Sequence, residues 1–195
     1  MDLVLIRHPP PAVEEGVCYG CTDLPLAGAP DAAADAFVAR LALLGAPSPQ
    51  TLLTSPLVRC AGVAAELGKR LGLLPGTDAR LREIDFGAWE GRRWGDIDRA
   101  ALDAWAADLH HARAHGGESV AQCSARVAEW FEACRALAAG SAWVLTHAGV
   151  MRIVAARALS LPLEQTLSWP VGMGGIVWLR GGRDEMRWQL VRWNA

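Results

Sequence analysis

Three short, unbroken apolar runs constrain the fold of this chain more than anything else in it: Asp2-Leu3-Val4-Leu5-Ile6, Gln50-Thr51-Leu52-Leu53-Thr54 and Ala142-Trp143-Val144-Leu145-Thr146. A strand without polar alternation has to be covered on both faces, as in a parallel sheet sandwiched by helices. Helical signals fill the intervals. Asp31 reads as the N-cap of an Ala- and Leu-rich helix that runs to about Leu44 and stops at Gly45 and Pro47. Ser55-Pro56 combines an N-cap residue with a proline suited to the first helical position, which predicts a helix with Arg59 on its first turn and Val63, Leu67 and Leu71 on its apolar face.

Further on, a helical pattern resumes near Asp96. Ser119 and Gln122 have capping-box spacing ahead of Val120, Cys123, Val127, Trp130 or Phe131, and Cys134, which recur at helical intervals up to a stop near Gly140. Another apolar helix follows Gly149 and reaches Leu159, and two more strands are expected near 174–180 and 186–193. No repeat, linker or composition break divides the chain, and 195 residues at 52% hydrophobic suit one core. The expected fold class is therefore α/β, a three-layer α/β/α domain spanning 1–195 with a mostly parallel central sheet.

Two stretches resist a regular element. Residues 9–30 carry Pro9, Pro10, Pro11, Pro25 and Pro30 with Gly16, Gly20 and Gly28, and read as a long loop of the kind that often serves function. Residues 77–94 mix charge, glycine and tryptophan, and read as a short extended segment followed by a loop.

Ligands of open α/β sheets bind beyond the carboxyl ends of the strands. Here the first strand ends on Arg7-His8, the second leads through Ser55-Pro56 to Arg59, and the third ends on His147. If these strands are neighbours, the four side chains converge. Two guanidiniums grip a phosphoryl group through paired donors and stabilise its oxygens in the transition state, and a helix starting near Pro56 adds the positive end of its dipole. A neutral imidazole is a competent nucleophile toward phosphorus, and water can discharge the phosphoramidate it forms. The leaving alkoxide then needs an acid, for which Glu83 is the first candidate and Asp85 the second.

In order and spacing, strand-Arg7-His8, Ser55-Pro56-Leu57-Val58-Arg59, the stretch Glu83 to Gly91, Gly116-Gly117-Glu118-Ser119 and Thr146-His147-Ala148-Gly149-Val150 resemble the histidine phosphatase, or phosphoglycerate mutase-like, superfamily. The resemblance implies that His8 is the phosphorylated nucleophile, Glu83 the general acid and then base, and Arg7, Arg59 and His147 the phosphate contacts, with no metal or other cofactor. The loop from Gly16 to Leu26, with Cys18-Tyr19-Gly20, is similar to that of alpha-ribazole phosphatases. This implies alpha-ribazole 5'-phosphate as substrate, with Tyr19 and Trp89, and beside it Trp94, as candidates to contact its ring. Other readings are a broad-specificity small-molecule phosphatase, a phosphoglycerate mutase, and a phosphate-binding protein without turnover. The last is motivated by Pro9-Pro10-Pro11, which departs from the family's usual Arg-His-Gly and removes backbone donors next to the nucleophile.

The remaining features are bland. A net charge of -2 gives no field for a nucleic-acid backbone, and no apolar run reaches the length of a membrane span. Without a secretory pattern at the amino terminus, the five cysteines read as reduced thiols of a cytoplasmic protein. Cys18 and Cys21 have CxxC spacing but lack further ligands, and His110, His111 and His115 lack the glutamate of an HExxH site and read as a solvated helix or lid. The expected partner is a small phosphomonoester, and a homodimer is compatible with the sequence.

Overall fold

The three apolar runs stand side by side. In the computed structural model, which describes residues 1–137, 140–181 and 188–195, β1 (Asp2–Arg7), β2 (Thr51–Thr54) and β4 (Ser141–Thr146) are neighbours in a six-stranded sheet. Adding β3 (Gly76–Thr77), β5 (Ile176–Arg180) and β6 (Gln189–Arg192), the order is β3-β2-β4-β1-β5-β6. The strands from β3 to β1 are parallel, while β5 and β6 form an antiparallel edge. Residues 186 and 187 of the expected last strand lie outside the described residues, as do 138 and 139 ahead of the predicted helix stop at Gly140.

Unbroken apolar strands place alternate side chains in two separate cores. Leu3, Leu5, Ala142 and Val144 pack under α4 (Val120–Leu137) and α5 (Ala148–Leu159). Val4, Ile6, Leu52, Trp143 and Leu145 pack under α1 (Pro30–Leu43) and α2 (Val58–Leu71). Each fully buried Leu, Ile or Val contributes about 1.5–3 kcal/mol relative to exposure, so the sheet is held from both sides, as its sequence demands. Two smaller helices, α3 (Arg99–Ala107) and α6 (Leu163–Leu167), flank the carboxyl-end face; α6 had no sequence signal.

Two helix starts differ from expectation. In α1, Pro30 occupies the start and Ala29 the N-cap, so Asp31 falls in the first turn and accepts from Ala32 N–H at 2.8 Å. A proline pre-set at helical φ starts the helix ahead of the acid. In α2, the N-cap is Leu57 without a side-chain cap. The Ser55 hydroxyl is 2.8 Å from His147 Nε2, which leaves it 3.4 Å from Leu57 N–H and moves the helix start to Val58. Arg59 remains on the first turn. The capping box of α4 forms as expected, Ser119 N–H to Gln122 Oε1 at 2.9 Å and Gln122 N–H to Ser119 Oγ at 3.1 Å.

Candidate active site

Adjacent strands β2, β4 and β1 bring Ser55, His147 and Arg7-His8 to one edge. His8 follows β1 directly, and its N–H donates to Thr146 O at 3.1 Å, which continues the β1–β4 pairing by one residue. The ring is 2% exposed, and Nδ1 lies 2.7 Å from Pro9 O. A carbonyl only accepts, so Nδ1 carries the proton and the neutral ring keeps its lone pair on Nε2. Burial, aided by the charges of Arg59 and Arg7 and opposed by the bond to Pro9, lowers the His8 pKa to about 3. The residue that departs from the family pattern thus supplies the acceptor that orients the ring.

Arg59 is fully buried. Its Nη1 donates to Thr22 O at 2.7 Å and its Nη2 to Gly20 O at 2.6 Å, and its guanidinium lies 5.5 Å from the centre of the Tyr19 ring. Arg7 donates through Nη1 to Val171 O. In both arginines the buried Nε–H has no acceptor among the described residues, so this donor of each guanidinium is not spent on them. The long loop is thus part of the site, because its carbonyls aim Arg59. His147 packs on His8 with ring centroids 5.1 Å apart. Burial first, then the positive charge of Arg59, holds its pKa well below the ordinary value.

Glu83 comes from the opposite wall. Its Oε2 accepts from Gly149 N–H at 3.0 Å and its Oε1 from Ile84 N–H at 3.2 Å, at the positive end of α5. Any side chain at 149 would overlap the carboxylate. Asp85, the second candidate acid, accepts from Gly87 N–H at 2.7 Å and faces a second polar hollow, which Glu83 also lines, with Arg82, Arg113 and Glu118; of the two acids Glu83 alone also lines the cavity of His8.

Arg7, His8, Arg59 and Glu83 share a cavity of about 630 Å³. Beyond the charged end its walls are largely apolar and aromatic, with Tyr19, Ile84, Phe86, Trp94, Trp105 and Leu109 among them. His147 lies behind His8 rather than in this wall. Trp89, expected at the substrate, is 3% exposed and packs with Cys18 and Ile97 in a core of its own. Gly87, at positive φ, opens the 3-10 turn Gly87–Trp89, and Trp94 and Trp105 line the cavity where Trp89 does not.

Sequence reasoning missed Trp105, Arg152 and Glu90. Arg152 lines the cavity, its Nε donates to Trp169 O at 3.0 Å, and burial lowers its pKa. Its place on the helical face shared by Ala148 and Gly149 was a usable signal. Glu90 accepts from Cys21 N–H at 2.9 Å, Thr22 N–H at 2.6 Å, Phe86 N–H at 2.9 Å and the Thr22 hydroxyl, tying the long loop to the segment of the acid.

Among the described residues, Cys21, Asp85 and Glu90 form the one cluster with metal-ligand types within 4.8 Å, but Glu90 is committed to the loop. Burial and the Glu90 charge push both Cys18 and Cys21 up to about 12, which suits plain thiols rather than metal or redox groups. His110 pairs with Glu164 at 2.6 Å, and His115 is buried against Trp89, so the three histidines do not converge.

Comparison with known proteins gives the same picture. Glucosyl-3-phosphoglycerate phosphatase of Mycobacterium tuberculosis is 34% identical over 186 residues, covering 81% of this chain and 79% of that protein. Its counterpart in Mycolicibacterium vanbaalenii is 30% identical over 99% of this chain and 94% of that one. Alpha-ribazole phosphatase of Shigella flexneri superposes with a TM-score of 0.86 at 25% identity, covering 100% of this chain and 96% of that one. Residues 3–195 match the histidine phosphatase superfamily (branch 1), and with its basic pair around an oriented histidine the chain belongs to that family.

Proposed function

We propose that the chain hydrolyses a small phosphomonoester by passing the phosphoryl group to His8 and then to water. The observation that carries this is the lone pair left on His8 Nε2, between two arginines and in one cavity with Glu83. Nε2 forms the N–P bond as the bond from phosphorus to the leaving oxygen breaks, and Glu83 in its acid form protonates that oxygen. Glu83, now a carboxylate, takes a proton from water as the water oxygen attacks phosphorus. The N–P bond breaks, and His8 returns to its neutral tautomer with phosphate released. Arg7 and Arg59 hold the phosphoryl oxygens throughout, and His147 supports them from behind His8. The cycle uses no metal or cofactor, so EDTA is expected to leave the rate unchanged. The acceptor on the ring is a backbone carbonyl, which Pro9 offers as any residue would, so the triple proline keeps this contact, and rapid-quench detection of a phosphohistidine separates turnover from phosphate binding alone.

For the leaving group, the aromatic walls support alpha-ribazole 5'-phosphate, whose benzimidazole ring has apolar faces to bury. A second reading, glucosyl-3-phosphoglycerate, is favoured by the named relatives and by Arg152, a cation placed to meet a carboxylate. Phosphate release from both compounds and from 3-phosphoglycerate, with His8→Ala as control, separates the readings. The expected result is a kcat/KM at least tenfold higher for alpha-ribazole 5'-phosphate, and a preference for the glucosyl compound would reverse the assignment.

A further inference from the structure

The carboxylate of Glu83 is held by backbone N–H groups, but the backbone that carries it has no strand or long helix of its own. It runs from the short 3-10 turn Ala79–Leu81 into irregular chain. A segment of that kind needs external acceptors or donors to hold one conformation. Three of those donors come from one side chain, Arg126 of α4. Its Nη1 donates to Arg80 O at 2.7 Å and to Arg82 O at 2.8 Å, and its Nη2 donates to Glu83 O at 3.1 Å. The intervening carbonyl, Leu81 O, accepts from Thr146 Oγ1 at 2.9 Å. Four successive carbonyls are therefore fixed, three by one guanidinium and one by the residue that precedes His147.

The guanidinium is itself fixed. Nε and Nη2 make a two-pronged pair with Glu118, at 2.7 and 2.8 Å, and the side chains of Arg126 and Glu118 are 18% and 19% exposed. All five N–H donors of an arginine thus meet an oxygen. Lysine, with three donors on a flexible stem, cannot span the same set. Arg126 does not line the cavity that contains His8, whereas Glu83 does.

We propose that Arg126, locked by Glu118, is a positioning residue for Glu83: it sets where the acid delivers its proton without touching substrate. This rests on the reading of Glu83 as general acid and adds α4 to the elements that build the site.

The test uses the dependence of kcat/KM on the leaving group, because this parameter covers phosphoryl transfer to His8 before water enters. An alkyl phosphomonoester needs a proton on its leaving oxygen, whereas 4-nitrophenyl phosphate hardly does. The purified variants R126K, E118Q and E83Q are compared on both substrates, and thermal melts of each report folding. R126K is expected to lose about a hundredfold on the alkyl substrate, the scale of a displacement near 1 Å, and less than threefold on 4-nitrophenyl phosphate. E118Q, which keeps the volume and loosens the lock, is expected to shift the same ratio in the same direction and stands as the test if R126K does not fold. In the double variant E83Q/R126K the second change is expected to add no further loss, because both act through one proton transfer. Equal losses on both substrates, or additive losses in the double variant, would overturn the proposal. If E83Q itself showed no leaving-group selectivity, the reading of Glu83 would fall first, whatever Arg126 does.

Discussion

At the scale of single residues the site depends on protonation and on a few close approaches. His8 is buried and carries a pKa lowered to about 3 by desolvation, so the proposed nucleophile is neutral across the physiological range in the free protein. Once substrate ionisation is accounted for, the pH profile of kcat/KM is expected to show no enzyme acid limb near 6.5; a limb there would contradict the lowered His8 pKa. Gly149 makes the corresponding case for the acid. A Cβ there would displace the Glu83 carboxylate, and G149A is expected to lose about a hundredfold in kcat/KM on an alkyl phosphomonoester, with far less effect on 4-nitrophenyl phosphate. That Arg7, His8, Arg59 and Glu83 come together was legible because strand ends and short motifs announce them. Trp89 was expected at the substrate because it stands near Glu83 in the sequence, but its ring packs into a small separate core, and nearness in sequence does not say which way a side chain points.

At the scale of elements, the long loop is less a lid than a support. Glu90 gathers Cys21, Thr22 and Phe86, and the neighbouring carbonyls of Gly20 and Thr22 aim Arg59. Burial raises the Glu90 pKa, but the hydrogen bonds from Thr22, Phe86 and Cys21 outweigh it and keep the carboxylate charged. E90Q would turn an amide NH2 toward donors, and urea unfolding is expected to show a loss of about 1–3 kcal/mol together with a raised KM from the loosened arginine. Unchanged stability would mean that the loop is held otherwise. The strands and the capping box of α4 were readable because their signals are local. The starts of α1 and α2 were not, since Pro30 and the Ser55–His147 contact decided them. The supporting roles of Glu90 and Arg126 span 69 and 46 residues of sequence, beyond any periodic pattern.

For the whole molecule, a two-sided sheet buries its histidines together with its apolar strands, and acid sensitivity follows. The folded His8 pKa lies below the ordinary 6.5, so the unfolded chain takes up a proton first as pH falls. Its contribution to stability is complete above 6.5 and declines as pH drops toward about 3. His147, lowered in the same direction, adds to the effect. In H8Q the dependence of unfolding free energy on pH is expected to be shallower by about 1.4 kcal/mol per pH unit across the acid range, and an unchanged slope would show that His8 titrates normally. On the proposed function, the cavity walls around Trp94 and Trp105 receive the leaving group. W105A is expected to raise KM for alpha-ribazole 5'-phosphate about tenfold or more, the scale of one lost aromatic stacking and its buried area, while leaving kcat on 4-nitrophenyl phosphate within about twofold.

The proposed reaction passes through a covalent bond between phosphorus and His8, which rapid-quench trapping with a radiolabelled phosphomonoester would detect. Label is expected on the protein within the first turnover, stable to alkali, released by acid, mapped to His8 and absent from His8→Ala. Turnover at full rate with no protein-bound label, or retained activity in His8→Ala, would contradict it.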